Sequence, residues 1–201
     1  MKIKKFETEE QWLEARKGKV TGTKLKDIMP KKRGTGKRVG FYKILAERIA
    51  TDDTGENPME RGKRLEEEAI QEFKKKTGKE VNTELVMWER DDNTNIALSP
   101  DGYMDKEAVE VKCLASYKHI EALLTESIPK DYRPQMIQYF LVNDELETLY
   151  YVFYDPRMLD KKMFYLEVKR EDIEDDIYWY EENLHQGLEE LKEAENKIIP
   201  F

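Results

Sequence analysis

Between residues 108 and 114 the chain reads Ala-Val-Glu-Val-Lys-Cys-Leu, an alternation with a period of two. A strand is the one regular element that sends successive side chains to opposite faces. Val109, Val111 and Cys113 therefore share one face, and Glu110 and Lys112 share the other. A second apolar run, "NIALSPDGYM" (95–104), comes just before, and Asp105-Lys106 between the two reads as a tight turn. Antiparallel pairing about that turn sets Asp101 opposite Glu110, with Cβ atoms about 5 Å apart on one face; a longer turn would shift the register. Two carboxylates so close repel unless a cation lies between them, and an oxygen-only ligand set suits Mg²⁺. Lys112, two residues beyond Glu110, shares the face and can orient a water molecule. An isolated Glu-x-Lys is ordinarily a solvated surface pair worth little. Here the pair is threaded through an apolar strand, Asp101 follows another through Ser99-Pro100, and Gly102 permits close approach to the backbone.

The rest of the chain supplies helices before and after this hairpin. Thr8 with Gln11 resembles a capping box, opening a short helix through Trp12, Leu13 and Arg16 that Gly18 stops. Thr21 or Thr23 caps a second helix, and "KKRGTGKR" (31–38), with two glycines and no apolar period, is a basic loop. A helix is predicted over about 41–49, and a longer one from about Pro58 to Lys76, with Pro at its start and Gly78 beyond its end. In the latter, Leu65, Ala69, Ile70 and Phe73 form the core stripe, with Glu66 at its edge and Glu67 and Glu68 pointing outward. "EVNTELVMWE" reads as a strand, "PQMIQYFLV" as a helix apolar nearly all round, and "TLYYVFYD" and "FYLEVKR" as two more strands. From about residue 171 an acidic amphipathic helix closes the sequence. The order implies a mixed α/β sandwich, read as one domain over 1–201. A single cysteine excludes an intramolecular disulfide and a four-cysteine metal site, and is normal for a cytosolic protein. No signal-peptide core is evident, and the densest apolar run, "LYYVFY", is too short to span a bilayer. The net charge of -8 hides a polarity: residues 1–40 carry 13 Lys and Arg against 5 Asp and Glu, and residues 171–201 carry 2 against 11. A local polyanion site is therefore compatible with an acidic chain.

Pro100-Asp101, eight intervening residues and then Glu110-Val111-Lys112 resembles the PD-(D/E)XK nuclease motif. The longer "SPDG…EVKC" resembles the lambda-exonuclease-like (YqaJ-type viral recombinase) family, and other matching stretches follow in the same order over about residues 10–160. The resemblance implies a restriction-endonuclease-like core, a mixed central sheet flanked by helices. It carries a metal-site glutamate onto Glu66, in the matching Gly-Lys-x-x-Glu position, and the Val111 carbonyl joins Asp101 and Glu110 around one or two Mg²⁺ ions, with Mn²⁺ as the alternative. "QMIQY" is similar to the Gln-x3-Tyr motif of RecB-like nucleases and places Gln135 and Tyr139 on one helix face beside the metals and the DNA; Gln138 competes with Gln135 for the polar role. "WLEARKGKVTGTKL" matches a family start in which an Arg and a capped helix N-terminus make an anion pocket. In the family that pocket holds a 5′-phosphate, which assigns Arg16, Thr23 and Ser99 here, and Arg33 of the basic loop falls where the family contacts the incoming duplex. "YDPRM" (154–158) matches a segment after a core strand and receives no chemical role. Leu114 stands where many relatives have Pro.

The implied activity is a metal-dependent exonuclease. It would degrade the 5′-ended strand of duplex DNA to mononucleotides and leave a 3′ overhang for recombination. Asp101, Glu110, Lys112, Glu66 and Gln135 would form the catalytic set. By resemblance its setting is the cytoplasm of a bacterium, or of a phage-infected cell, with no membrane partner. The resemblance also implies a homotrimer and a single-strand annealing protein as partner. A restriction-like or structure-specific endonuclease on the same scaffold, and a DNA-end-binding protein without catalysis, are the alternatives.

Overall fold

The computed structural model describes residues 8–14, 37–50, 58–93 and 96–198. Helix α1 (Glu9–Glu14) starts where the Gln11 amide donates to the Thr8 hydroxyl at 3.2 Å, half of the predicted capping box. Then follow α2 (Val39–Ile49), α3 (Pro58–Thr77), the short strands β1 (Trp88–Glu89), β2 (Ala97–Leu98) and β3 (Gly102–Tyr103), and β4 (Glu107–Lys112). Helix α4 (Ser116–Thr125), α5 (Arg133–Val142), β5 (Thr148–Tyr154), β6 (Met163–Lys169) and α6 (Glu174–Ile198) complete the order. One four-stranded sheet has the order β3-β4-β5-β6, while β1 and β2 form a separate antiparallel ribbon. The architecture is a mixed α/β arrangement with a mixed sheet flanked by helices.

Two compact units are distinguishable. The first takes residues up to Ala69, Lys112–Ser127 and Phe153–Phe164. In it α2 packs on α4 around Tyr42, Ile120 and Met158, with Phe41, Leu45, Ala46 and Tyr117 against them. His119, fully buried on α4, lies edge-on to Phe164, which stacks on Phe153. The second unit takes Ile70–Val111, Ile128–Val152 and residues from Tyr165 on. Its core gathers Phe73 of α3 against Tyr150 and Tyr165, both at 5.3 Å between ring centroids, with Val109, Ile137, Phe140 and Leu149 buried nearby.

Helix α3 follows its sequence closely. Leu65, Ala69, Ile70 and Phe73 are all buried, Glu66 is half-buried, and Glu67 and Glu68 are exposed. Gly78 takes φ +72 just past the last turn, where its amide donates to the Lys74 carbonyl at 2.8 Å, a left-handed helix stop. Glu68, expected to be merely solvated, accepts a hydrogen bond from the buried Tyr154 phenol within the first unit. Helix α5 is buried on nearly all sides, so its C-terminal carbonyls need internal donors. Arg170 supplies them at Phe140 and at the cap residue Asn143, and donates also to the Leu146 carbonyl in the turn beyond, all at 2.7–2.8 Å. Burial pulls its guanidinium pKa down while Asp144 and Glu174 oppose the shift.

The strands predicted over 80–89 and 95–104 are shorter than expected. Asn82 makes an isolated bridge to Tyr103, Leu85 and Met87 are exposed, and pairing resumes only at Trp88↔Leu98 and Glu89↔Ala97. Proline without an N–H interrupts the second run at Pro100. The acidic helix begins at Glu174, after a 3-10 turn at Arg170–Asp172.

Gly102 faces Val81, and a Cβ there would come within 2.5 Å of Val81 Cγ1. Gly102→Ala is therefore expected to cost about 1–3 kcal/mol in urea unfolding. Combined with Val81→Ala it should lose less than the sum of the two single variants, because the second change removes the clash. Strictly additive losses would show that the close approach is not what requires glycine.

Candidate active site

The hairpin β3–β4 sets the geometry. Gly102 pairs with Val109 and Tyr103 with Ala108, and the Met104 amide donates to the Glu107 carbonyl at 2.8 Å. The loop is thus the two residues Asp105 and Lys106, and continuing the same register brings Asp101 opposite Glu110. Because 104 and 107 form a hydrogen-bonded pair, alternation makes 101 and 110 a non-hydrogen-bonded pair. Such pairs have Cα atoms only about 4.5 Å apart and the closer side chains. At the next position Pro100 faces Val111 and has no N–H to offer the Val111 carbonyl. The Val111 amide instead donates to Asp101 Oδ2 at 2.7 Å. Asp101 is half-buried, and this bond fixes its carboxylate against the strand that carries Glu110.

Glu110 is 2 % exposed, an unusual position for a carboxylate. Helix α5 makes it tolerable. Gln135 Nε2 donates to Oε1 at 2.7 Å, and the Tyr139 hydroxyl donates to Oε2 at 2.5 Å. Gln135 and Tyr139 lie four residues apart, so a single helix face reaches both oxygens. Burial, then the charges of Glu110 and Asp101, push the Tyr139 phenol far above its ordinary range. It stays protonated and remains a donor at any working pH. Gln138 turns elsewhere and donates to the Ala97 carbonyl at 2.8 Å, tying β2 to α5 four residues before Asp101. Of the two glutamines, Gln135 is the one that touches the Glu110 carboxylate.

Sequence reasoning does not single out two residues of this surround. Tyr151, fully buried on β5, has its phenol raised by burial and by the charges of Glu110, Tyr132 and Asp101. Trp88 of β1 meets Tyr139 and Tyr103 edge-on, at 6.2 and 6.0 Å. The one signal that either offers is an aromatic side chain within an apolar run.

Comparison with known proteins follows the same lines. The sequence matches the YqaJ-like viral recombinase domain over residues 11–145. This chain belongs to that family. Among solved structures it is similar to LHK-Exo, an alkaline exonuclease from Laribacter hongkongensis. The complex of that protein with dAMP aligns at 27 % identity and a TM-score of 0.55, over 94 % of this chain and 100 % of that one. A second structure of the same exonuclease aligns at 26 % identity and a TM-score of 0.55, with the same coverage. No curated protein matches the chain. The fold of this YqaJ-like chain is consistent with a PD-(D/E)XK-like nuclease core.

In this YqaJ-like chain Lys112 is the last residue of β4, half-buried, two residues after Glu110. Glu66 is half-buried on α3, and Ser99 is exposed between β2 and Pro100. Arg16, Thr23 and Arg33 lie outside the described residues. No group of three or more His, Cys, Asp or Glu side chains suited to a metal ion occurs among the described residues. The pair Asp101 and Glu110 still fits a hard divalent cation. Mg²⁺ keeps most of its waters and takes one or two protein carboxylates. A ligating carboxylate is itself held by hydrogen bonds, as Gln135 and Tyr139 hold Glu110. No described helix is long and apolar enough to cross a membrane.

Because the folded-state pKa of Tyr139 lies above its unfolded value of 10.0, its contribution to stability is complete below that pH. Above it the unfolded chain ionises first, and the contribution is lost as pH rises. Unfolding free energy measured in urea across pH 9–11 should therefore decline less steeply for Tyr139→Phe than for the unaltered chain. At neutral pH the variant should be less stable by about 1–3 kcal/mol, since Glu110 loses a buried partner. Equal slopes would mean that the phenol is not held neutral by the carboxylates.

Proposed function

We propose that this protein is a divalent-metal-dependent DNA exonuclease that degrades the 5′-ended strand of a duplex and leaves a 3′ overhang. The observation that carries the reading is the carboxylate pair: Asp101 opposite Glu110, with Glu110 buried and gripped at both oxygens by one helix face. Membership of the YqaJ-like family and the likeness to an alkaline exonuclease support it.

Asp101, Glu110, the Val111 carbonyl and Glu66 are the groups that would hold Mg²⁺ or Mn²⁺. The bound cation would supply charge neutralisation at the scissile phosphate and a more acidic attacking water. The chain's own residues do the rest. Gln135 and Tyr139 keep Glu110 aimed, because a carboxylate accepting two hydrogen bonds has little freedom to turn. The Val111 amide keeps Asp101 on the same face. Lys112, an ammonium at the strand end, orients the water for in-line attack and offsets negative charge developing on the phosphate. Arg16, Thr23 and Ser99 hold the 5′-phosphate and set polarity, and Arg33 contacts the incoming duplex. A homotrimer encircling the duplex and a single-strand annealing partner complete the reading.

The test is digestion of linear duplexes bearing 5′-phosphate or 5′-hydroxyl ends, with and without Mg²⁺, beside a covalently closed circle. Mononucleotides should be released from 5′-phosphorylated ends only with the metal, and the circle should stay intact. Rapid cutting of the circle would make the protein an endonuclease; no hydrolysis with any divalent cation would leave an end-binding protein.

Lys112→Ala separates chemistry from binding. It should lower hydrolysis by about 10²–10³-fold, the scale of losing one charged stabilising group, while duplex binding in an electrophoretic shift assay changes little. Proportional loss of both would assign the lysine to binding.

A further inference from the structure

The segment Tyr154–Met158, "YDPRM", has no part in the carboxylate site, yet it holds an ion pair almost wholly removed from solvent. Asp155 is 0 % exposed and the Arg157 side chain 10 %. The Asp155 carboxylate accepts four hydrogen bonds: Arg157 Nε at 2.8 Å and the Arg157 amide at 3.2 Å on Oδ1, Arg157 Nη2 at 3.2 Å and the Ser116 hydroxyl at 2.6 Å on Oδ2. A carboxylate has about four lone-pair positions, so this one is committed to its neighbours. That count tells against a ligand or proton-transfer role for Asp155. Burial pushes its carboxyl up, but the hydrogen bonds from Arg157 and Ser116 and the Arg157 charge outweigh it and hold the group below the usual carboxylate range.

What the pair fixes is a short piece of backbone. Arg157 Nη2 also donates to the Leu114 carbonyl at 3.3 Å, and Ser116 is the first residue of α4. Leu114 and Ser116 stand two and four residues after Lys112, where β4 has ended and α4 is only beginning. At this joint the Lys118 and His119 amides donate to the Ala115 carbonyl at 2.8 and 3.0 Å, and the Arg157 and Ser116 side chains add bonds that tie Leu114 and the first residue of α4 to Asp155–Arg157. Stability alone is a poor reason to bury the ions here, because a buried ion pair contributes little over well-packed apolar groups. Directional bonds are what it adds, since a guanidinium fork meets a carboxylate in one plane. The Asp155 amide, bonded to the Lys162 carbonyl at 2.8 Å, keeps the anchor in register with the start of β6.

We propose that Asp155 and Arg157, with Ser116, are positioning residues for Lys112: they fix the strand exit at Leu114–Ser116 and so the backbone from which the lysine projects. The proposal rests on the reading of Lys112 as the group that orients the attacking water. Its test uses the full chain with Arg157→Lys, Arg157→Met, Ser116→Ala and Ser116→Thr. Three readouts are taken: kcat and KM on a linear 5′-phosphorylated duplex with saturating Mg²⁺, amide hydrogen exchange over residues 113–117, and thermal stability. Arg157→Met and Arg157→Lys should lower kcat by about 10–100-fold, the range for a reacting group displaced by an ångström, with KM little changed and faster exchange over 113–117. Arg157→Lys keeps the charge but loses the fork, so its failure to restore kcat marks geometry and not charge as the contribution. Ser116→Ala should repeat the defect more mildly and Ser116→Thr, which keeps the hydroxyl, should escape it. Where Arg157→Met does not fold, Ser116→Ala decides by the same two measurements. A lowered melting temperature with kcat retained would overturn the proposal, as would unchanged exchange over 113–117. Absence of hydrolysis by the unaltered chain overturns the nuclease reading itself, a different outcome from retained kcat in a variant.

Discussion

A carboxylate buried to 2 % in the middle of a sheet strand sets conditions that most of the second unit then meets. Removing Glu110 from water costs several kcal/mol unless hydrogen bonds replace those lost, and each unmet oxygen would add its own penalty. Two donors from one helix are the compact solution, and they must stand four apart to face the same way, as Gln135 and Tyr139 do. The helix must then lie against the strand, which accounts for Ile137 and Phe140 being fully buried around the two polar residues. At the far end of the helix Arg170 spreads its guanidinium over the carbonyls of Phe140, Asn143 and Leu146. One buried acid thus accounts for a glutamine and a tyrosine one helical turn apart.

The hairpin register is legible in the sequence because its two determinants are local. A period of two assigns faces, and a two-residue loop fixes which residues oppose. The α3 stripe is legible for the same reason, with a proline before it and a glycine after. The roles on α5 are not. A helix apolar on nearly every side has no stripe to show which glutamine reaches the carboxylate, and only the position of Glu110 distinguishes Gln135 from Gln138. Tyr151 is hidden within a strand of aromatics, where one phenol among several carries no mark. The runs before the hairpin promise longer strands than form, because period and composition do not report a missing partner. Leu85 and Met87 belong to an apolar run and yet are exposed. The bonds from Ser116 to Asp155 and from Arg157 to Leu114 escape for a further reason: their partners lie 39 and 43 residues apart, beyond any periodic signal.

Charge placement follows the same logic of local need. The acidic helix α6 would repel its own surroundings without compensation, and two arginines of the second unit provide it. Arg90 grips Glu181 at 2.7 Å while also holding Asp92, and Arg133 pairs with Asp176. The Arg90 side chain is 13 % exposed, so this contact is screened less than an ordinary surface pair. These ties hold the first turns of α6.

Strand β4 is where the separate threads meet. Glu110 is held from α5, the Val111 amide is held by Asp101, and Leu114 and Ser116 are held by Arg157 and Asp155. Glu110 and Asp155 are buried, Asp101 and Arg157 half-buried, and Lys112 lies inside the stretch that these bonds bracket. An ammonium on a four-carbon stem is the most flexible group in such a site. With such a stem, where the ammonium can reach depends in part on how firmly its backbone is fixed. On the proposed reading of Lys112, polar bonds at either end of residues 110–116 would hold the backbone that presents it.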